Sequence, residues 1–204
     1  MDRTRRGLLA ASATLATGAL TGCSSGLGTQ EAVGWDGKRA ITKTEFDQLM
    51  RQAFSGEGYT CVRTTEANEG PYYYTSSQQR RAVMEEHSAG LPLKLGIRVA
   101  NALRPGAPCA PLSRAVVDIW QADASGLYSN VGGDLQSVDT RGQTFGRGHL
   151  VTNDDGYVEF DTVVPGWELV AVPGPSRVAI RVPHIHVKVF HENQITTTIL
   201  YFPD

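Results

Sequence analysis

Two histidines separated by one residue, His184-Ile185-His186, are the part of this chain best suited to chemistry. In a β-strand, residues i and i+2 share a face, so both imidazoles would point the same way and could grip one cation. Pro183 sets the entry to that strand, and the run from Val182 to Phe190 is otherwise apolar apart from Lys188. The plain alternative is a solvent-facing histidine pair, and spacing alone leaves it open. A centre with two imidazoles needs more ligands. Phenolate and carboxylate oxygens are hard anionic donors that suit ferric iron, whereas thiolates would favour zinc.

Such side chains need a scaffold. The chain has 204 residues, enough for one domain with a β core but too few for two ordinary ones. From Leu91 onward the pattern is strand-like. Leu93, Leu95, Ile97 and Val99 alternate with Lys94, Gly96 and Arg98. Ala115 to Trp120 is a compact apolar run containing Asp118, and Asp154-Asp155-Gly156 sits between Leu150-Val151 and Tyr157–Phe160 as a hairpin signal. Further runs are Leu169–Val172, His184–Phe190 and Thr196–Phe202. Short, closely spaced strands with Gly and Pro between them predict an all-β fold, a β-sandwich of mainly antiparallel strands occupying 91–204. Ahead of it, residues 41–90 form a helical and loop segment. Its clear helix runs from Thr42 to Phe54, opened by a Thr42–Glu45 capping box, and a second short helical stretch lies near Gln78–Glu86.

The first residues read as an address. Arg3, Arg5 and Arg6 precede a weakly apolar run from Gly7 to Leu20 and then Leu20-Thr21-Gly22-Cys23. A basic head, a short apolar stretch and a small-residue cleavage site describe a signal peptide over 1–23, with adjacent arginines of the twin-arginine type. The tetrapeptide ending in Cys23 looks like a lipobox, so the expectation is a lipid-anchored protein of the bacterial cell envelope, tethered by residues 24–40. Cys61 and Cys109 then remain as an even pair in an oxidising compartment; a disulfide or two separate thiols are both compatible with the spacing. A formal net charge of −2 gives no argument for nucleic-acid binding.

Four segments carry a more specific signal. They are Glu69-Gly70-Pro71-Tyr72-Tyr73-Tyr74, the stretch Val117-Asp118-Ile119-Trp120-Gln121-Ala122-Asp123-Ala124-Ser125-Gly126-Leu127-Tyr128-Ser129, Thr162-Val163-Val164-Pro165-Gly166-Trp167, and Arg181-Val182-Pro183-His184-Ile185-His186-Val187-Lys188-Val189. In this order they resemble the intradiol ring-cleavage dioxygenases, which open catechols between the two hydroxyl-bearing carbons. The resemblance runs from about Cys61 to the end of the chain. It implies a β-sandwich and a non-haem Fe(III) held by two tyrosines and two histidines. Carried over by position, Tyr128 is the first phenolate ligand and His184 and His186 are the imidazoles. Arg181 is the catalytic arginine that steadies negative charge on the substrate ring. Tyr72, Tyr73 and Trp167 are the candidate pocket walls. The implied partners are a small aromatic substrate and O₂, with membrane contact only through Cys23; self-association is left open.

Two positions depart from that pattern. Glu168 stands where the family has its second tyrosine ligand, and Ile199 where many members have a glutamine near the substrate. A carboxylate can ligate ferric iron, so Glu168 joins the expected metal set, although Val170–Ala179 reads as an insertion that could carry it away. The expected function is a catechol dioxygenase giving muconate-type diacids. The alternative is a lipoprotein that holds iron or a catechol without turnover. A plain structural sandwich and a zinc hydrolase using the two histidines with Glu168 stand behind them.

Overall fold

The computed structural model describes residues 8–17, 32–35, 40–42, 44, 45, 47, 48, 51, 64–85, 87, 89–102, 109–171 and 178–202. Cys23, Cys61 and most of the expected tether lie outside them. Its strands are β1 (Leu8–Thr17), β2 (Ala32–Trp35), β3 (Ala40–Thr42), β4 (Pro92–Ala102), β5 (Ala110–Pro111), β6 (Val116–Gln121), β7 (Arg147–Val151), β8 (Tyr157–Val163), β9 (Glu168–Ala171), β10 (Val178–Arg181), β11 (His184–His191) and β12 (Gln194–Tyr201).

All the strand pairings among these are antiparallel, as expected for the sandwich. One sheet centres on β4, which pairs with β1, β5 and β8; the other runs β12-β11-β6-β7. β1 coincides with the segment expected to be an export leader. Alternation explains why the sheets face each other. Leu93, Leu95, Ile97 and Val99 of β4 and Val158 and Phe160 of β8 are buried against Val117 and Ile119 of β6 and Ile185, Val187 and Val189 of β11. Each such side chain contributes about 1.5–3 kcal/mol by leaving water. Gln121 is a polar exception inside this layer. Thr162 Oγ1 donates to its Oε1 at 2.9 Å and its Nε2 donates to the Val163 carbonyl at 2.9 Å, which ties the two sheets together.

Three local readings meet the structure differently. The capping box is formed: Thr42 N and Oγ1 donate to Glu45 Oε2, and Glu45 N donates back to Thr42 Oγ1 at 3.3 Å. Residues 44, 45, 47, 48 and 51 are helical, Thr42 instead ends β3, and the rest of the expected 42–54 helix lies outside the described residues. No helix occurs over 78–85. That stretch is instead a strap pinned to both sheets through the bridges Gln79↔His149 and Ala82↔Asp161, with Val83 and Met84 in the core. Its backbone groups bond to Asp161 and Gly146 rather than to one another. The turn at 154–156 exists but does not make a hairpin: β7 pairs with β6 and β8 pairs with β4, so the chain crosses between sheets there. Asn153 Oδ1 collects the amides of Asp155 and Tyr157, and Gly156 adopts φ +72° against the Val99 carbonyl. The side chains on both flanks seek the same core from opposite layers, and an arch satisfies that where a flat hairpin would not.

Candidate metal centre

The outer face of the β12-β11-β6-β7 sheet carries the candidate histidines. On β11, Ile185, Val187 and Val189 point into the core, so His184, His186 and Lys188 point outward. Register places His186 opposite Trp120 on one side and Ile199 on the other, and His184 opposite Tyr201. The Trp120 indole stacks on the His186 ring with centroids 4.7 Å apart and planes 7° apart.

Tyr128 reaches the histidines from the loop after β6. Asp123 shapes that loop by accepting from the amides of Ser125 and Leu127. Gly126, at φ +84°, lets the Trp167 carbonyl approach so closely that a Cβ would sit 2.0 Å from it. The backbone of Tyr128 is then clamped. Its amide donates to Gln136 Oε1 at 3.0 Å, and its carbonyl accepts from Gln136 Nε2 at 2.9 Å and Thr140 Oγ1 at 2.6 Å. Next to it, Arg147 holds Ser129 by two hydrogen bonds.

Four donor groups meet. Tyr128 Oη lies 3.3 Å from His184 Nε2, His184 Nε2 lies 3.1 Å from His186 Nε2, and Glu168 Oε2 lies 3.6 Å from His184 Nε2. All four side chains are 1–3% exposed. His184 Nδ1 donates to the Val182 carbonyl at 2.7 Å, because only a protonated nitrogen can bond a carbonyl, and so its Nε2 presents a lone pair to the cluster. Two donors each about 2.1 Å from one ion, and separated by about 90–120° around it, stand about 3.0–3.6 Å apart. The three spacings around His184 Nε2 fall in that range. Both oxygens of Glu168 are buried without a hydrogen-bond partner, a costly state that a cation would relieve. Among the described residues no three His, Cys, Asp or Glu side chains group closely enough to hold an ion by themselves. Two neutral nitrogens with two hard oxygens suit iron.

Electrostatics agree with that reading. Burial, then the neighbouring Glu168, raise the Tyr128 phenol, so it stays protonated unless a cation takes the proton's place. Burial, with the His184 and Arg181 charges behind it, pushes His186 down to about 3, and burial likewise lowers His184. Both are therefore neutral ligands at ordinary pH. Burial raises the Glu168 carboxyl, opposed by Arg181, whose NH1 lies 3.6 Å from Glu168 Oε2.

A family profile described as Dioxygenase matches residues 68–204. An intradiol ring-cleavage dioxygenase from Tetranychus urticae is 29% identical, with a TM-score of 0.55 over 71% of this chain and 66% of that one. The chain belongs to the intradiol ring-cleavage dioxygenase family. The 3-chlorocatechol 1,2-dioxygenase of Rhodococcus opacus 1CP shares its fold at 23% identity, with a TM-score of 0.53 over 75% of this chain and 61% of that one. So does the catechol 1,2-dioxygenase of Pseudomonas arvilla C-1 at 19% identity, with a TM-score of 0.51 over 77% and 51%. This dioxygenase-family chain thus spans less than two thirds of the length of these three neighbours.

Within the dioxygenase fold, the residues expected in the metal set and Arg181 are together. The expected pocket walls are spread out. Tyr72 packs on the Tyr128 ring at 4.7 Å, Tyr73 packs on Trp120 and donates to Asp118, and Trp167 is largely exposed. Val170, Ala171, Val178 and Ala179, the ends of the stretch read as an insertion, lie in paired strands. β9 pairs with β10, Glu168 with Arg181 in register, which is what delivers both to the histidines. The alternation of Glu168-Leu169-Val170 and Ala179-Ile180-Arg181 around Pro173-Gly174-Pro175 was the available signal. Gln136, Thr140 and Arg147 act through hydrogen bonds to backbone or to Ser129, and no sequence spacing marks them.

Proposed function

We propose that this protein is a non-haem Fe(III) intradiol dioxygenase that cleaves a catechol with O₂ to a muconate-type diacid. The convergence of Tyr128, His184, His186 and Glu168 carries the reading. Tyr128, His184, His186 and Glu168 would hold the iron, which when bound would supply Lewis-acidic, redox-active chemistry toward a catechol and O₂. The bond between the two hydroxyl-bearing carbons breaks and both oxygen atoms of O₂ enter the product, so no external reductant is consumed.

The chain's residues do the rest. The Val182 carbonyl fixes the His184 tautomer, and Trp120 fixes the plane of His186. Tyr128 would supply a phenolate and Glu168 a carboxylate to the ion. Arg181 sits at the edge of the cluster, where its guanidinium can hold negative charge that develops on the ring. Burial keeps bulk water from competing for that charge. Leader cleavage, lipidation of Cys23 and an envelope location complete the reading; labelling with a radioactive fatty acid, abolished by Cys23→Ala, tests them.

The purified protein reconstituted with iron should bind one iron per chain, show a visible tyrosinate-to-iron charge-transfer band and consume O₂ with catechol, hydroxyquinol or protocatechuate. A colourless, iron-free protein would refute it. Glu168 and Ile199, at positions where the family pattern differs, favour one alternative: iron and catechol bound without turnover. A band that shifts on adding catechol with no O₂ uptake would establish that instead.

A further inference from the structure

We propose that the cleft between residues 74–78 and the segment 130–147 is a binding site for a small oxyanion, a carboxylate or a phosphate, with the guanidinium of Arg147 as its charged donor. Neither the donor cluster nor Arg181 lines this cleft, so the site stands apart from the iron reading.

Two observations carry it. The first is a donor without an acceptor. Arg147 opens β7 and is only 4% exposed. Its Nε donates to Ser129 Oγ at 2.9 Å, and its Nη2 donates to the Ser129 carbonyl at 2.8 Å. The remaining nitrogen, Nη1, is buried without a hydrogen-bond partner. No carboxylate pairs with this cation among the described residues, and Asp118 acts on it only from beyond ion-pair distance. Burial lowers the Arg147 guanidinium to about 10, so it is still charged at neutral pH. A buried cation with an idle N–H group is costly, and the planar end of a guanidinium suits the oxygens of a carboxylate or phosphate.

The second is the cleft itself. It has a volume of about 100 Å³, several times what one water needs and enough for a small oxyanion. Tyr74, Ser77, Gln78, Asn130 and Gln143 line it together with Arg147, and no residue of the lining is acidic. Asn130 gives its Oδ1 to the Gly142 amide at 3.1 Å, which leaves the NH₂ side of that group, a donor, for a ligand. Being almost wholly buried, Arg147 can only form the inner wall. A concave site with one cation at its base and hydroxyl and amide groups around it favours an anion over a neutral ligand.

The test is isothermal titration calorimetry of the full-length protein with acetate, malonate and inorganic phosphate, on iron-free and iron-loaded samples, at an ionic strength held constant with chloride. The wild type is expected to take up one anion per chain in both samples, with a dissociation constant of about 1 mM or tighter. Tighter binding of the carboxylates assigns the site to an organic acid, and tighter binding of phosphate assigns it to the inorganic ion. Gln143 is exposed, so Gln143→Glu adds a like charge to the cleft without disturbing the fold. It should weaken uptake at least about fivefold, and Gln143→Lys should strengthen it. Arg147→Met should abolish uptake; because that change also releases Ser129, the two Gln143 variants decide if it does not fold. No uptake by the iron-free wild type overturns the proposal and leaves Nη1 to ordered water. Uptake that Gln143→Glu leaves unchanged overturns it as well.

Discussion

At the residue scale, the two histidines are held by different means, and this predicts different mutant behaviour. His184 is fixed by one hydrogen bond to a backbone carbonyl, His186 by the face of an indole. His184→Ala should abolish iron retention, measured as metal per chain after gel filtration, while leaving the circular dichroism spectrum in place. Tyr128→Phe should keep most of the fold and lose the visible band, since no second tyrosine hydroxyl is among the four converging donors. The imidazole pair was legible from the sequence because a period of two is all that a strand requires. Tyr128 was legible only through the motif around it: nothing in the spacing of a tyrosine 56 residues before a histidine says that they meet. Glu168 was readable as a candidate ligand, but its partnership with Arg181 depended on a hairpin that composition had disguised as an insertion.

At the element scale, tight backbone approaches decide where the donors stand. Gly126→Ala would put a Cβ at 2.0 Å from the Trp167 carbonyl at a positive φ. It should cost about 2 kcal/mol or more, a melting temperature lower by roughly 5 °C, and reduce iron occupancy because the Tyr128 loop and the Glu168 strand are displaced together. Gln121→Leu should cost about 1–3 kcal/mol in urea unfolding, since the Val163 carbonyl and the Thr162 hydroxyl lose their buried partner. Strand existence was legible throughout β4, β6, β11 and β12, where alternation is strict. Strand partnership was less so. The Asn153–Gly156 turn has the composition of a hairpin, yet it joins opposite layers, and the strap over 78–85 has helix-compatible residues whose backbone bonds go to the sheets. Local propensity could not foresee either, because both are settled by which distant surface needs covering.

At the scale of the whole molecule, charge and covalent links set the stability. Burial alone would raise the Asp161 carboxyl, but the Lys94 hydrogen bond and charge, with Arg81 behind them, outweigh it and hold it below the usual carboxylate range. A depressed carboxylate stabilises the fold above its ordinary titration range, and that contribution disappears as the pH falls through the folded value. The melting temperature should therefore fall on acidification below about pH 4, and Asp161→Asn should flatten that limb. Cys109 is disulfide-bonded, and its partner lies outside the described residues. Peptide mapping without reductant should identify Cys61, closing a loop of about 47 residues worth about 4 kcal/mol. A Cys23–Cys109 link would refute the lipid anchor at the same stroke, since one sulfur cannot hold both.

The two-stranded β9–β10 ribbon shares no ladder with either large sheet among the described residues, yet it supplies both the fourth donor and the nearby guanidinium. It behaves as a cassette. Its length and its inward pair can be exchanged without unzipping any strand that packs the core, so one scaffold can host a phenol, a carboxylate or neither at that corner. Reactivity in such a protein can drift faster than its architecture.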